Sequence, residues 1–273
     1  IEASFRKDVT HDLATFIVRG EVTRESVDEL LNLSAKADRK ANLFYLGQEC
    51  DRLGNKLGSV LIWDLYTKQN DLSAEDKLEV KLRLAQNLWD QNQLEESLVQ
   101  YKDFYTQFKK YKCTDRSYCD ELVSRSRNYI HSWIKKEKNK PTGGLGEALK
   151  TYVVNNKEDV EMLSWTAHIA RRLKDNNAAV HYYGLAAETS AKLLKNQSQD
   201  GQKIKFLQST FEGSLIAAIE CAEASKSAEQ KNLAYNQYLR LNPNGEKADE
   251  IRYQLTYLKY SAGDYKTASA QFY

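Results

Sequence analysis

The feature that most constrains this chain is a rhythm of residue sizes that returns along it. Leu46-Gly47, Gly54, Trp63 and Tyr66 give a large–small pair on a first helix, a turn glycine, then two rings on a second helix. The same order returns as Leu84-Ala85, Asn92, Ser97, Tyr101 and Phe104, and again as Ala167, Ala179, Tyr183 and Ala186. Its last copy is Leu255, Gly263-Asp264-Tyr265, Ala268 and Phe272. The small residue sits where two helices approach closely, and the ring sits where the next pair must be filled. A single helical hairpin of this kind cannot bury both its faces, so neighbouring hairpins stack to complete the core.

Composition agrees with that reading. Only 2 of 273 residues are proline, against a usual share of roughly five per cent, which ill suits an all-β sandwich or a loop-rich fold. Leu13, Phe16 and Ile17 lead to Gly20 as a C-cap, and Thr23 opens a segment with Val27, Leu30 and Leu31 on one face. Ile204, Leu207, Phe211, Leu215 and Ile219 line one stripe of a long helix. Ser73 with Asp76, and Ser227 with Gln230, carry the N-cap spacing. No stretch reads as a strand. Basic Lys135–Lys140, followed by Pro141-Thr142-Gly143-Gly144-Leu145-Gly146, reads as a flexible surface connection. The expected organisation is an N-terminal helical-repeat segment 1–137, a basic, glycine-rich loop 138–146 and a C-terminal segment 147–273. The loop is either a domain linker or a long inter-helix connection within one array. A start at Ile1 without Met, and an end at Tyr273 soon after a helix start near Lys266, lead us to expect a longer parent chain.

The spacing resembles the tetratricopeptide repeat, a helix–turn–helix of about 34 residues. The likeness is clearest over 40–73, 78–110, 160–192 and 249–273, and is poor over 113–134 and 201–241. The run from Leu233 to Asn244, with the Gly263-Asp264-Tyr265 copy, is similar to bacterial cell-envelope members of the family. The resemblance implies an all-α fold, a right-handed α-solenoid of antiparallel helix pairs, with function on the surface formed by the first helix of each pair. Carrying over the family's inward positions gives Gln48, Asp51 and Arg52, then Gln86, Trp89 and Asp90, then His168, Arg171 and Arg172, and last Tyr253, Tyr257 and Tyr260. Rings, amides and charges so placed suit an extended peptide or a helix of a partner protein. Other readings stay open: a core stripe for the tyrosines, a core position for Trp89, and simple solvated charge for the two arginines. The family's chaperone-binding clamp is lacking, since Phe44, Gln48, Leu82 and Gln86 stand where Lys and Asn belong.

The residues argue against chemistry. His11, His131, His168 and His181 show no metal-ligand spacing, and Gly143–Gly146 lacks the Lys-Ser/Thr of a phosphate loop. No nucleophile–base constellation follows from spacing, so no cofactor, metal or enzymatic activity is expected. A formal charge of +2 gives no global field to recruit nucleic acid or an anionic membrane, and no apolar run approaches a membrane span. Cys50 and Cys221 read as buried free thiols. Cys113 and Cys119 are too far apart to bond on one helix, but Thr114 and Asp115 look like a helix start. With Cys113 in the loop before it, a bridge becomes geometrically feasible and would imply an oxidising compartment. That bridge and the envelope-like stretch lean towards a bacterial periplasm; the unpaired cysteines lean away from it. The expected function is a non-enzymatic scaffold that binds another protein. The alternatives are a regulatory or assembly region of a larger enzyme or machine, and a small-ligand or glycan-binding solenoid whose platform is the Tyr-rich C-terminal region.

Overall fold

The computed structural model describes residues 2–195 and 200–272, with the side chain of Phe272, the last ring of the repeating rhythm, outside the described part. Among those residues the fold is all helical: α1 Glu2–Arg19, α2 Arg24–Leu33, α3 Arg39–Leu53, α4 Lys56–Thr67, α5 Ala74–Asp90, α6 Leu94–Phe108 and α7 Arg116–Glu137 come first. Then follow α8 Gly143–Asn155, α9 Val160–Arg172, α10 Asn176–Leu194, α11 Gly201–Ser225, α12 Ala228–Leu241, α13 Ala248–Ser261 and α14 Tyr265–Phe272. The chain divides into two compact units, residues 1–129 and 130–273, and the division falls within α7.

Five helix pairs share one joint. The described residues with positive φ are Gly54 (74°), Asn92 (62°), Lys174 (64°), Lys226 (57°) and Gly263 (84°), and each lies between the two helices of a pair. These joints connect α3 to α4, α5 to α6, α9 to α10, α11 to α12 and α13 to α14. A left-handed residue ends a helix by turning the next N–H back onto its last carbonyls. Asn55 N–H reaches the Cys50 carbonyl at 2.9 Å, Gln93 reaches Leu88 at 2.9 Å, Asp175 reaches Ala170 at 2.9 Å and Asp264 reaches Lys259 at 3.0 Å. The residue after the bend then opens the next helix: the side chains of Asn55, Asp175, Ser227 and Asp264 accept N–H bonds from Gly58, Ala178, Gln230 and Thr267. Residues 201–241, a poor match to the repeat by sequence, therefore contain a hairpin with the same left-handed bend, in which Ser227 N–H bonds the Ser225 hydroxyl at 3.2 Å instead of a helix carbonyl.

In the first unit the core gathers Val27, Leu30, Leu43, Leu46, Ile62, Trp63, Tyr66 and Val80. Gly47 is required there: a Cβ at this position would lie 2.6 Å from the Trp63 ring. Around α6 and α7, Tyr101, Tyr105 and Tyr129 are buried, and their hydroxyls are satisfied by Ser97 and Ser126 at 2.6–2.9 Å. Cys113 in the connection before α7 is bonded to Cys119 in the first turn, with Cα atoms 6.3 Å apart. Cys50 and Cys221 are free and buried, and burial, aided by Asp51 and Glu49, pushes the Cys50 thiol up to about 12.

In the second unit α10 packs on α9 and α11, and small residues including Ala179, Ala186, Ala187, Ala218 and Ala222 are buried there. The glycine-rich stretch expected as a flexible loop is instead the start of α8. Thr142 caps it by accepting from Leu145 N–H, and the Glu137 carboxylate accepts from the Thr142 hydroxyl at 2.7 Å. Gly146 serves packing, since a Cβ there would stand 3.0 Å from Leu173, and Gly144 faces the Trp133 ring. Sequence alone hides this, because Trp133 and Leu173, which close over the turn, are distant in the chain.

Candidate functional site

Within the first unit, α3 and α5 hold the residues expected to face a partner. Asp51 does something else. Its carboxylate accepts from Arg83 Nη1 at 2.6 Å, Asn87 Nδ2 at 2.9 Å, Trp63 Nε1 at 3.2 Å and the Ser59 hydroxyl. Arg83 also pairs with Glu79, lies over the Trp63 ring at 5.1 Å, and is itself raised because these carboxylates outweigh its burial. Arg125 of α7 completes the chain at 2.7 Å from Glu79. Glu79, Arg83 and Asn87 stand at four-residue steps of α5, a polar row inside a buried face. That row was the available sequence signal, but its partners lie in other helices. A carboxylate with so many internal donors is a structural hub.

The neighbouring candidates are more open. Gln48 is exposed, Arg52 pairs with Glu49 at 2.6 Å on its own helix, and Asp90 pairs with Lys56 at 2.6 Å. Gln86 and Trp89 are half-buried, and the Trp89 ring meets Tyr129 edge-on at 6.4 Å. Near the far end of α5, Asp76 accepts from Lys40 at 2.9 Å and from the Tyr66 hydroxyl at 2.8 Å. Burial alone would raise its carboxyl, but Lys40, the Ser73 N–H and Tyr66 outweigh it and bring it down to about 2.

Within the second unit, His168, Arg171 and Arg172 lie together on α9 and are exposed. Burial, then the charges of Arg172 and Arg171, lower the His168 imidazole, and its ring meets Trp165 edge-on at 5.8 Å. Arg171 reaches Glu220 of α11 at 2.9 Å, and Arg172 donates to the Asn139 carbonyl at 2.6 Å. Glu220, which the sequence reading did not single out, borders a notch of about 90 Å³ between α11, α12 and α13 with Glu223, Lys247, Glu250 and Gln254. On α13 itself, Ile251 and Leu255 are buried, whereas Tyr253, Tyr257 and Tyr260 keep 57, 51 and 53% of their surface open. Tyr260 meets Tyr265 of α14 at 5.2 Å.

Among the described residues no group of three or more His, Cys, Asp and Glu is placed to hold a metal ion. None of the described helices is long and apolar enough to cross a membrane. The chain matches no protein-family model and no curated protein sequence.

Proposed function

We propose that this chain is a non-enzymatic, tetratricopeptide-like α-solenoid that binds a peptide or helix of another protein through the first helices of its hairpins. The observation that carries this reading is the row Tyr253, Tyr257 and Tyr260. Three rings at steps of four and three on α13 stay half open, while the opposite face of the same helix is buried. Open aromatic rows are uncommon on a surface that meets only water, and tyrosine is favoured at binding hot spots. Arg171 adds a cation whose present partner, Glu220, is itself about half exposed, so a carboxylate of the incoming chain can replace it. The buried acids favour a scaffold as well: Asp51 and Glu79 are held by arginines instead of being set against one another as an acid–base pair. The Cys113–Cys119 bridge supports an oxidising compartment, for which we propose the bacterial periplasm.

The test is co-purification after cross-linking in the cells of origin. Tagged wild-type chain recovers a stoichiometric partner, and recovery falls at least tenfold in the Tyr253→Ser/Tyr257→Ser double variant and in Arg171→Glu. Equal recovery by all three chains overturns the assignment of this face.

A further inference from the structure

The second unit also carries a cleft of about 620 Å³ at α8, α9 and α10, lined by none of the residues assigned above to partner binding. Its apolar lining is Val153, Val154, Leu163, Tyr182 and Leu185. Val153, Leu163 and Tyr182 are buried, while Val154 is half exposed. The polar lining is unevenly placed. His181 lies towards the start of α10 and Thr189 further along it, whereas the charged Lys157, Glu158 and Lys192 belong to the α8–α9 connection and the last turn of α10. Lys192 pairs with Glu158 at 2.7 Å, with both side chains about two-thirds open, and Lys157 is exposed beside Glu158 in sequence. Among the residues lining that end, two ammonium groups stand against one carboxylate.

We propose that this cleft binds a free long-chain carboxylate, its chain along the apolar walls towards His181 and its head group between Lys157 and Lys192. Size suits a small molecule. The cleft's volume lies within the roughly 300 to 1,000 Å³ of small-molecule clefts. Length agrees: His181 and Lys192 are eleven residues apart on α10, about 16 Å at ~1.5 Å per residue. With carbon–carbon bonds of about 1.5 Å in a zigzag, an extended chain of roughly a dozen carbons spans that distance. Charge selects the sign of the head group. An anion gains Lys157 and shares Lys192 with Glu158, while a cation meets two ammonium groups.

The experiment titrates the full chain with sodium dodecanoate below its micelle concentration and follows heat. Expected are saturable uptake of one dodecanoate per chain and, on going to decanoate, a loss on the order of tenfold for two methylenes. The Lys157→Glu/Lys192→Glu variant, with unchanged circular dichroism, loses at least tenfold, and Leu185→Trp, which fills the cleft, also loses uptake. Dodecyltrimethylammonium does not bind. The proposal is overturned by absence of saturable uptake, by equal binding of the cationic amphiphile, or by indifference to both variants. Recruitment to anionic vesicles without uptake of monomeric dodecanoate also overturns it. Partner recovery through the α13 tyrosines is unaffected by the lysine variant, so the two assignments fail separately.

Discussion

Ion pairs of similar length sit in different surroundings: the first unit has open pairs of its own, such as Lys68–Asp64, but it also buries a linked set that contrasts with two pairs of the second unit. Within residues 1–129, Arg83 meets Asp51 at 2.6 Å and Arg125 meets Glu79 at 2.7 Å, and all four side chains keep less than a quarter of their surface open. Within residues 130–273, Arg171 meets Glu220 at 2.9 Å and Lys192 meets Glu158 at 2.7 Å, yet every one of these side chains is close to half open or more. Distance is therefore a poor guide to what a pair does. A desolvated charge costs several kcal/mol unless its partner is in place, so Asp51, Glu79, Arg83 and Arg125 are satisfied together only in one register of α3, α5 and α7. An open pair contributes ~0–1 kcal/mol and can be exchanged for a ligand's charge without loss of fold. The first arrangement specifies structure; the second leaves groups available.

The sharpest break of this contrast is a matched pair of substitutions. Arg83→Ala leaves Asp51 and Glu79 without their shared cation and should cost about 3–5 kcal/mol in denaturant unfolding, whereas Arg171→Ala should cost less than about 1 kcal/mol. Similar losses in both would abolish the distinction. A smaller effect is expected from acid. The Asp76 carboxyl is depressed in the folded chain, so the stability it supplies is present above the ordinary carboxylate range and is lost as pH falls through about 2. Unfolding followed from pH 5 to pH 2 should show a loss of about 1–2 kcal/mol from this site, discounted for its partial exposure, and Asp76→Asn should remove that dependence. The smallest effect concerns the joints. Lys174 and Lys226 occupy a left-handed conformation that costs a side-chain-bearing residue ~1–2 kcal/mol. Glycine at either position should raise stability by about 0.5–1 kcal/mol after its own entropy cost, and a loss of stability would show that the lysine side chain has another role there.

Features decided within a few residues were legible in the sequence. Ser73 and Asp76 form the expected reciprocal cap, Thr23 opens α2, and Gly20 follows the end of α1. Cys113 precedes α7, as the helix start at Thr114-Asp115 suggested, with Asp115 accepting from the Tyr118 N–H. Features decided across the chain were not. Asp51 read as a partner-facing acid because Arg83 and Asn87, which hold it, stand 32 and 36 residues further on. Residues 201–241 gave two helices, with Ser227 opening the second, yet matched the repeat poorly because the bend is built on Lys226, where glycine or asparagine would have signalled one. The α13 tyrosines show the converse limit: their spacing fixes a shared face, but only tertiary packing decides whether that face is covered.

The recurring joint has a consequence for how such a chain can change over time. What it demands is a backbone shape, and Gly, Asn and Lys all supply it. Nearly every side chain of a hairpin is then free to drift while the reversal of direction persists, and a whole hairpin can be copied or deleted without inventing a new connection. Ancestry in such a molecule would be recorded less in its letters than in the regular cadence of its bends.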